Sequence, residues 1–261
     1  MLTLLTKVYL WILKKYIRFT LRNKTIFVFS GLRRSGNHVC INWFANAVLQ
    51  KPTVLDKADY MVFQSTCKKL LHLNEVNIVS PLNYVSYLRK HRDKISAAHT
   101  IFISLEDLVP NDTHCIYFPK GSDVIYITRS VLSTMASRLA YNIKRAKMGI
   151  DRGDMNIDQN TFNLVSLIRT KQHVWDLEKW LTDEQWRTDF LARFKLSKDI
   201  TPGMSSQGGG STFHGQNQLD ATSMTNEQRW SCVEWPERMR ALITTNRELL
   251  STEETQFIAN W

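Results

Sequence analysis

Between positions 31 and 38 the chain reads Gly31-Leu32-Arg33-Arg34-Ser35-Gly36-Asn37-His38. Glycines let backbone N–H groups come close to a ligand. Guanidinium forks match the oxygens of phosphate or sulfate. The combination is the chemistry of an anion cradle; the bland alternative is an ordinary turn with solvated arginines. It is not a Walker A loop, which needs GxxxxGK followed by Ser or Thr. No lysine and no metal-binding hydroxyl stand at that spacing.

Three other places could join such a site. Arg129 precedes Ser137 by eight positions, in ITRSVLSTMASRL. Glu106 follows the apolar run Thr100–Ile103 and could accept a proton. Gly208-Gly209-Gly210-Ser211-Thr212-Phe213 could grip phosphate through its backbone N–H groups, although alone it also fits a flexible linker.

The elements around these residues are predicted from pattern. Ile26-Phe27-Val28-Phe29 reads as a short strand buried on both faces. After the loop, Val39, Cys40, Trp43, Phe44, Ala47 and Val48 recur at helical spacing, giving a helix with one buried face. The first N–H groups of such a helix point outward, and its dipole adds positive potential. Residues 51–75 read as helical with loops. Short strands are predicted at Val76–Val79, Thr100–Ile103, Cys115–Phe118 and Asp123–Thr128. Helices are predicted at Leu82–Ser96, Ser130–Lys147, Phe162–Thr182 and Glu184–Phe194, with more between Asn226 and Trp261. In the helix after Arg129, the apolar stripe is Leu132, Met135, Ala136, Leu139 and Ile143. Strands alternating with helices predict an α/β fold, three α/β/α layers on a central parallel sheet. Ligands in such sheets sit beyond the carboxyl ends of the strands. That expectation puts the loop, Glu106 and Arg129 on one rim.

Composition narrows the partners. The net charge is +10. Lys7, Lys14, Lys15, Arg18, Arg22, Lys24, Arg33 and Arg34 precede the first carboxylate, Asp56. No nucleic-acid motif accompanies this charge, leaving a membrane surface or a multiply charged anionic ligand. Cys40, Cys67, Cys115 and Cys232 lie far apart with no CxxC pair, which argues against a zinc site or a disulfide framework and fits a reducing cytoplasm. Residues 1–22 read as a basic amphipathic helix without a cleavage site. Its apolar run Val8–Leu13 is too short to span a bilayer. It can pack on the protein, which its nearly all-round apolar pattern favours, or lie on an anionic membrane as a peripheral contact. Residues 23–261 are expected to form a single domain.

Taken together, the loop, the Arg129/Ser137 pair and the glycine-rich segment resemble the sulfotransferases that use 3′-phosphoadenosine 5′-phosphosulfate (PAPS). The likeness is closest to their bacterial, natural-product and carbohydrate branches. Leu32–Val39 aligns without a gap to the family's YPKSGTTW loop. The family lysine falls on Arg34, and its two threonines fall on Asn37 and His38. Arg129 and Ser137 have the spacing of the arginine and serine that hold the nucleotide's 3′-phosphate. Residues 208–213 resemble the family's GGGSSF segment. WDLEKWLTDEQWRTDFLARFKL, Trp175–Leu196, resembles its intervening helical stretch. The match covers Thr25 to Phe213.

The resemblance implies a P-loop-like fold and sulfuryl transfer to a hydroxyl or amine, with product 3′-phosphoadenosine 5′-phosphate (PAP) and no metal required. Arg33, Arg34, Ser35, Gly36, Asn37 and His38 would bind the donor's 5′ end. Arg129, Ser137 and residues 208–213 would bind the rest. Arg34 would stabilise the leaving phosphate, and Glu106, His38 or His114 would act as base. Ser104 could instead cap a helix with Asp107 at its third position, leaving Glu106 a dipole partner. His214 could touch nucleotide, whereas His72, His91, His99 and His173 read as surface or packing residues. The acidic loop Asp151–Asp158 suggests a small-molecule acceptor, neutral or cationic, such as a guanidinium natural product. Alternatives are a carbohydrate or lipid acceptor, a P-loop kinase, or a non-catalytic nucleotide-binding protein. Nucleic acid is not an expected partner, and the oligomeric state is open.

Overall fold

Ile26, Phe27, Val28 and Phe29 are all buried in β1 (Thr25–Gly31), as expected for a strand covered on both faces. Phe27 and Phe29 meet Phe102 edge-on at 5.6 and 5.0 Å, the geometry that aromatic quadrupoles favour. The computed structural model describes residues 4–50, 62–64, 69–111, 117–149, 157–201 and 229–261.

The other strands are β2 (Val62–Gln64), β3 (Lys69–Leu73), β4 (Thr100–Glu106), β5 (Asp123–Thr128) and β6 (Val174–Asp176). They lie in the order β2-β3-β4-β1-β5-β6. Five form a central parallel sheet, with β2 antiparallel to β3 at its edge. The helices are α1 (Leu4–Thr20), α2 (Asn37–Leu49), α3 (Pro81–Lys90), α4 (Arg92–Ala97) and α5 (Val131–Lys147). After these come α6 (Gln159–Arg169), α7 (Leu177–Thr182), α8 (Glu184–Ala192), α9 (Glu237–Thr245) and α10 (Thr252–Ile258). The architecture is three-layer α/β/α, as the alternation of strands and helices predicts.

The described residues fall into two compact units, Met1–Ser30 with Leu55–Ile125, and Gly31–Val54 with Tyr126–Trp261. In the first, Leu13, Ile17 and Leu21 join Ile26, Val28, Leu71, Ile101, Ile103, Tyr84 and Leu88 in one apolar core. The core of the second contains Leu32, Val131, Leu132, Met135, Ala136, Phe162, Trp230 and Trp235.

Several elements differ from expectation. β2 and β3 stand where residues 51–75 read as helical; Leu70, Leu71 and Leu73 are wholly buried, and a local pattern cannot tell a buried strand from a buried helix. Val76–Val79 is not a strand. Val76 and Ile78 are buried in the first core instead, and Val76 N–H donates to Ser104 O at 2.9 Å. Of Cys115–Phe118, the described Tyr117 and Phe118 form a bend rather than a strand, with both rings in the same core. The helix predicted at Leu82–Ser96 is two, α3 and α4, divided at His91.

The span Phe162–Thr182 is α6, then β6, then α7. Within it Trp175 pairs with Ile127 of β5. The predicted stripe on α5 is right for Leu132, Met135 and Ala136, while Ile143 is exposed. α2 is buried almost all round, not on one face. Its polar positions are used inside: Asn46 Nδ2 donates to Ile200 O at 3.2 Å, and Trp43 Nε1 to Asp199 Oδ1 at 2.7 Å. Trp43 also meets Phe44, Trp180 and Phe190; burying such a ring contributes about 2–3 kcal/mol.

Candidate functional site

The loop between β1 and α2 is folded by its own short side chains. Ser35 N–H and Oγ both donate to Leu32 O, at 3.1 and 2.6 Å. Ser35 Oγ also lies 3.1 Å from Asn37 Oδ1. Gly36 caps α2 with φ of 101°, a left-handed conformation that glycine adopts without strain. Arg34 has φ of 72°, uncommon for a residue with a Cβ. Gly31 is fixed by crowding: a Cβ there would lie 2.8 Å from Asn37 Oδ1 and 2.9 Å from Ile127 Cβ. The glycines at 31 and 36 therefore serve a tight turn against β5 and an open start to α2.

Around this loop the second unit gathers cations from α5 and the end of β5. Arg34 Nε donates to Ser137 Oγ at 3.1 Å. Arg129 Nη1 donates to Arg34 O at 3.4 Å. Arg138 Nε donates to Arg33 O at 3.2 Å. Arg129, Ser137 and Arg138 are all buried. Arg34 and Arg145 each place a guanidinium 5.5 Å from the ring of Tyr141, within cation–π range. Ser133, also buried, has a hydroxyl without a hydrogen-bond partner. Ser133, Ser137, Tyr141 and Arg145 recur every four residues, so they share one face of α5.

Arg34, Arg129 and Ser137 are thus brought together as expected. The arrangement differs in one respect. The resemblance puts Arg34 at the nucleotide's 5′ end and Ser137 at its 3′ end, yet their side chains are hydrogen-bonded. Arg138, Tyr141 and Arg145 were missed, although the four-residue spacing from Ser137 to Tyr141 to Arg145 was visible in the sequence. Asn37 is buried at the first turn of α2, and His38 is half-buried beside it.

Glu106 ends β4 in the first unit, and Asp107 turns out of the strand with φ of 54°. No helix begins at Ser104. Its hydroxyl is buried between strand ends, donating to Asn74 Oδ1 at 2.9 Å and accepting from Glu75 N–H at 3.1 Å. His72 Nε2 lies 3.3 Å from the same oxygen, so His72 is a buried packing residue. Asp158 caps α6, accepting Thr161 N–H at 3.0 Å. That bond holds its carboxyl below the usual range, so the last acid of the Asp151–Asp158 loop has a structural use. Gly208, Gly209, Gly210, Ser211, Thr212, Phe213, His114 and His214 lie outside the described residues. Cys40 is buried, which pushes its thiol well above the usual range and makes it a poor nucleophile.

The N-terminus of α5 is set by two carboxylates. Glu254 Oε1 accepts Ser130 Oγ at 2.6 Å and Leu132 N–H at 2.7 Å. Glu178 Oε1 accepts Ser130 N–H at 3.0 Å. Burial raises the Glu178 carboxyl above its ordinary value; the Ser130 N–H lowers it, Asp176 raises it, and Arg129 lowers it. A raised folded-state value means the folded protein holds this proton more tightly than the unfolded chain. Stability therefore falls as pH rises from the ordinary 4.5 through the raised value. Glu178→Gln keeps an acceptor for Ser130 but removes the buried charge. Thermal melts across acid to neutral pH should show this fall flattened, with a neutral-pH Tm at or above wild type. An unchanged pH profile would contradict that assignment.

The site therefore holds buried and half-buried guanidinium groups, an orphaned hydroxyl on α5 and a glycine-bounded turn at the start of α2. Guanidinium forks and a hydroxyl gathered in this way suit a ligand carrying several anionic oxygens. Among the described residues no cluster of His, Cys, Asp or Glu could hold a metal ion. Comparison with known proteins adds no assignment to this geometry: no family model, no curated protein and no solved structure matches the chain.

Proposed function

We propose that the protein is a PAPS-dependent sulfotransferase acting on a hydroxyl or amine of a small-molecule acceptor. One observation supports it above the others. Arg34 from the first loop, Arg129 from the end of β5 and Ser137 from α5 converge through hydrogen bonds. These are the three separate positions where the family resemblance puts its anion-binding residues. The convergence fits a nucleotide that carries phosphate at two places.

In this reading, Arg129 and Ser137 hold the 3′-phosphate, with Arg138 keeping the loop in place through Arg33 O. Arg34, Arg33 and the N–H groups of Ser35 to His38 hold the 5′ oxygens. PAPS supplies an activated sulfuryl group on a phosphate leaving group. Arg34 is permanently charged, so its part is electrostatic: it neutralises charge developing on the departing phosphate. Any proton that phosphate needs comes from His38. Glu106 or His38 removes the proton of the acceptor. Ser137 Oγ accepts from Arg34 Nε, so in this reading its own O–H donates to the 3′-phosphate while that bond stays in place. Positioning and electrostatics then carry the transfer, as in phosphoryl transfer.

A thermal-shift comparison tests the reading. PAP is expected to raise Tm well above the effect of ATP with magnesium. A PAPS-consumption screen over alcohols, phenols, amines and saccharides then identifies the acceptor class. No stabilisation by PAP would remove the sulfotransferase reading. Stabilisation without turnover on any acceptor would favour a non-catalytic nucleotide-binding protein.

A further inference from the structure

Helix α1 buries one stripe and leaves a second in water. Leu13 and Ile17, with Leu21 just beyond the helix, enter the core of the first unit, where α1 packs on α3 and α4. The outward face carries Val8, Ile12 and Phe19, which are 49%, 52% and 60% exposed. Offsets of four and eleven residues place these three on one line along the helix. Trp11 and Tyr9 flank them, 59% and 43% exposed.

Cations border this apolar line. Lys7, Lys15, Arg18 and Arg22 are exposed. Lys15 Nζ lies 5.5 Å from the ring of Trp11, and the Arg22 guanidinium 4.0 Å from that of Phe19. The neighbouring helices continue the charge: Arg89, Lys90, Arg92 and Lys94 are exposed on α3 and α4, and Arg89 lies 5.2 Å over the ring of Tyr16. The only carboxylate on these three helices is Asp93.

This pattern selects among occupants. Among the described residues no helix is long and apolar enough to cross a membrane. A nucleic acid would engage the cations and leave Val8, Ile12 and Phe19 unused. A second copy pairing through the same face would set one basic border against another. An anionic bilayer takes both features at once, apolar side chains below the headgroups and cations among the phosphates.

We propose that α1 is an interfacial helix that docks the first unit onto an anionic phospholipid surface. Val8, Ile12 and Phe19 enter the acyl boundary, Trp11 sits at headgroup level, and Lys7, Lys15, Arg18 and Arg22 contact lipid phosphates. This docking does not depend on the sulfotransferase reading.

Flotation of the full chain with vesicles tests it. Vesicles of phosphatidylcholine alone should bind little protein. Equal parts of phosphatidylcholine and phosphatidylserine should bind it, and added salt should weaken the binding. The double variant Ile12→Glu, Phe19→Glu should bind at least about tenfold more weakly, since it removes inserted apolar area and adds like charge. Lys15→Glu with Arg18→Glu should lose roughly fivefold per charge reversed or more. These side chains are exposed, so Tm should stay at the wild-type value. The proposal is overturned if wild type does not float with anionic vesicles, if it binds neutral vesicles equally, or if Ile12→Glu, Phe19→Glu binds like wild type. It is also overturned if sedimentation velocity shows a wild-type dimer that this variant dissociates, because the face then belongs to a second copy.

Discussion

In an Arg34→Ala variant, turnover of PAPS is expected to fall by about 10²–10³-fold, the usual cost of removing one preorganised donor from a developing oxyanion. Affinity for PAP should change less, because Arg129 and Ser137 stay in place. Arg34 has φ of 72°, a conformation that costs arginine and alanine alike. Arg34→Asn serves as the control, since asparagine tolerates the left-handed region. Both variants should lose turnover alike, whereas any loss of Tm should be smaller in Arg34→Asn. Arg34→Lys should recover part of the rate, as it restores a charge and can also donate a proton. His38→Asn divides the remaining role: a rate loss with unchanged PAP affinity assigns proton movement to His38. Turnover of Arg34→Ala within a few-fold of wild type would remove Arg34 from the chemistry.

A Glu254→Ala variant should lose about 3–5 kcal/mol of stability, because several buried donors lose their acceptor together. Glu254 is buried; its Oε1 accepts Ser130 Oγ and Leu132 N–H, and its Oε2 accepts Ser251 N–H at 2.8 Å. The same carboxylate closes the capping box that starts α10. In a chain of this size the loss corresponds to a fall in Tm of roughly 10 °C. Glu254→Gln keeps one acceptor and should cost less. PAP affinity should fall with stability in Glu254→Ala, since Ser130 caps the helix that carries Ser137. A Tm within a degree or two of wild type would show that these bonds contribute little.

The loop and its flanking elements were legible because local chemistry decides them. Ile26–Phe29 is short, aromatic and β-branched and is followed by Gly31, which favours a buried strand, and Asp123–Thr128 coincides with β5. Ser130 caps α5 one residue before the helix, and the side-chain cap to Ser133 N–H is present at 3.1 Å. The convergence of Arg34 with Ser137 follows from placing loop and helix at adjacent strand ends. What failed was decided by tertiary contact. Trp175 lies between two helical patterns with no Gly or Pro to mark a break, and only pairing with β5 makes Val174–Asp176 a strand. The apolar spacing gives α2 one buried face, yet its polar Asn42 and Asn46 are buried too. No periodicity reports that a backbone carbonyl such as Ile200 O waits to be satisfied. Arg138 escapes a sequence pattern for the same reason. A buried arginine looks like a surface one until its neighbour, here Arg33 O, is known. Glu178 and Glu254 stand 48 and 124 residues from Ser130 in the chain, beyond any local pattern.

The most direct test of the central assignment compares two nucleotides that differ only by the 3′-phosphate. Isothermal titration of PAP and of adenosine 5′-monophosphate would be run on wild type and on Ser137→Ala. Wild type is expected to bind PAP about ten to a hundred times more tightly, the worth of hydrogen bonds from charged and hydroxyl donors to one phosphate. Ser137→Ala should shrink that ratio and leave adenosine monophosphate binding unchanged. Equal affinity of wild type for the two nucleotides would contradict the assignment of Arg129 and Ser137, and the sulfotransferase reading with it.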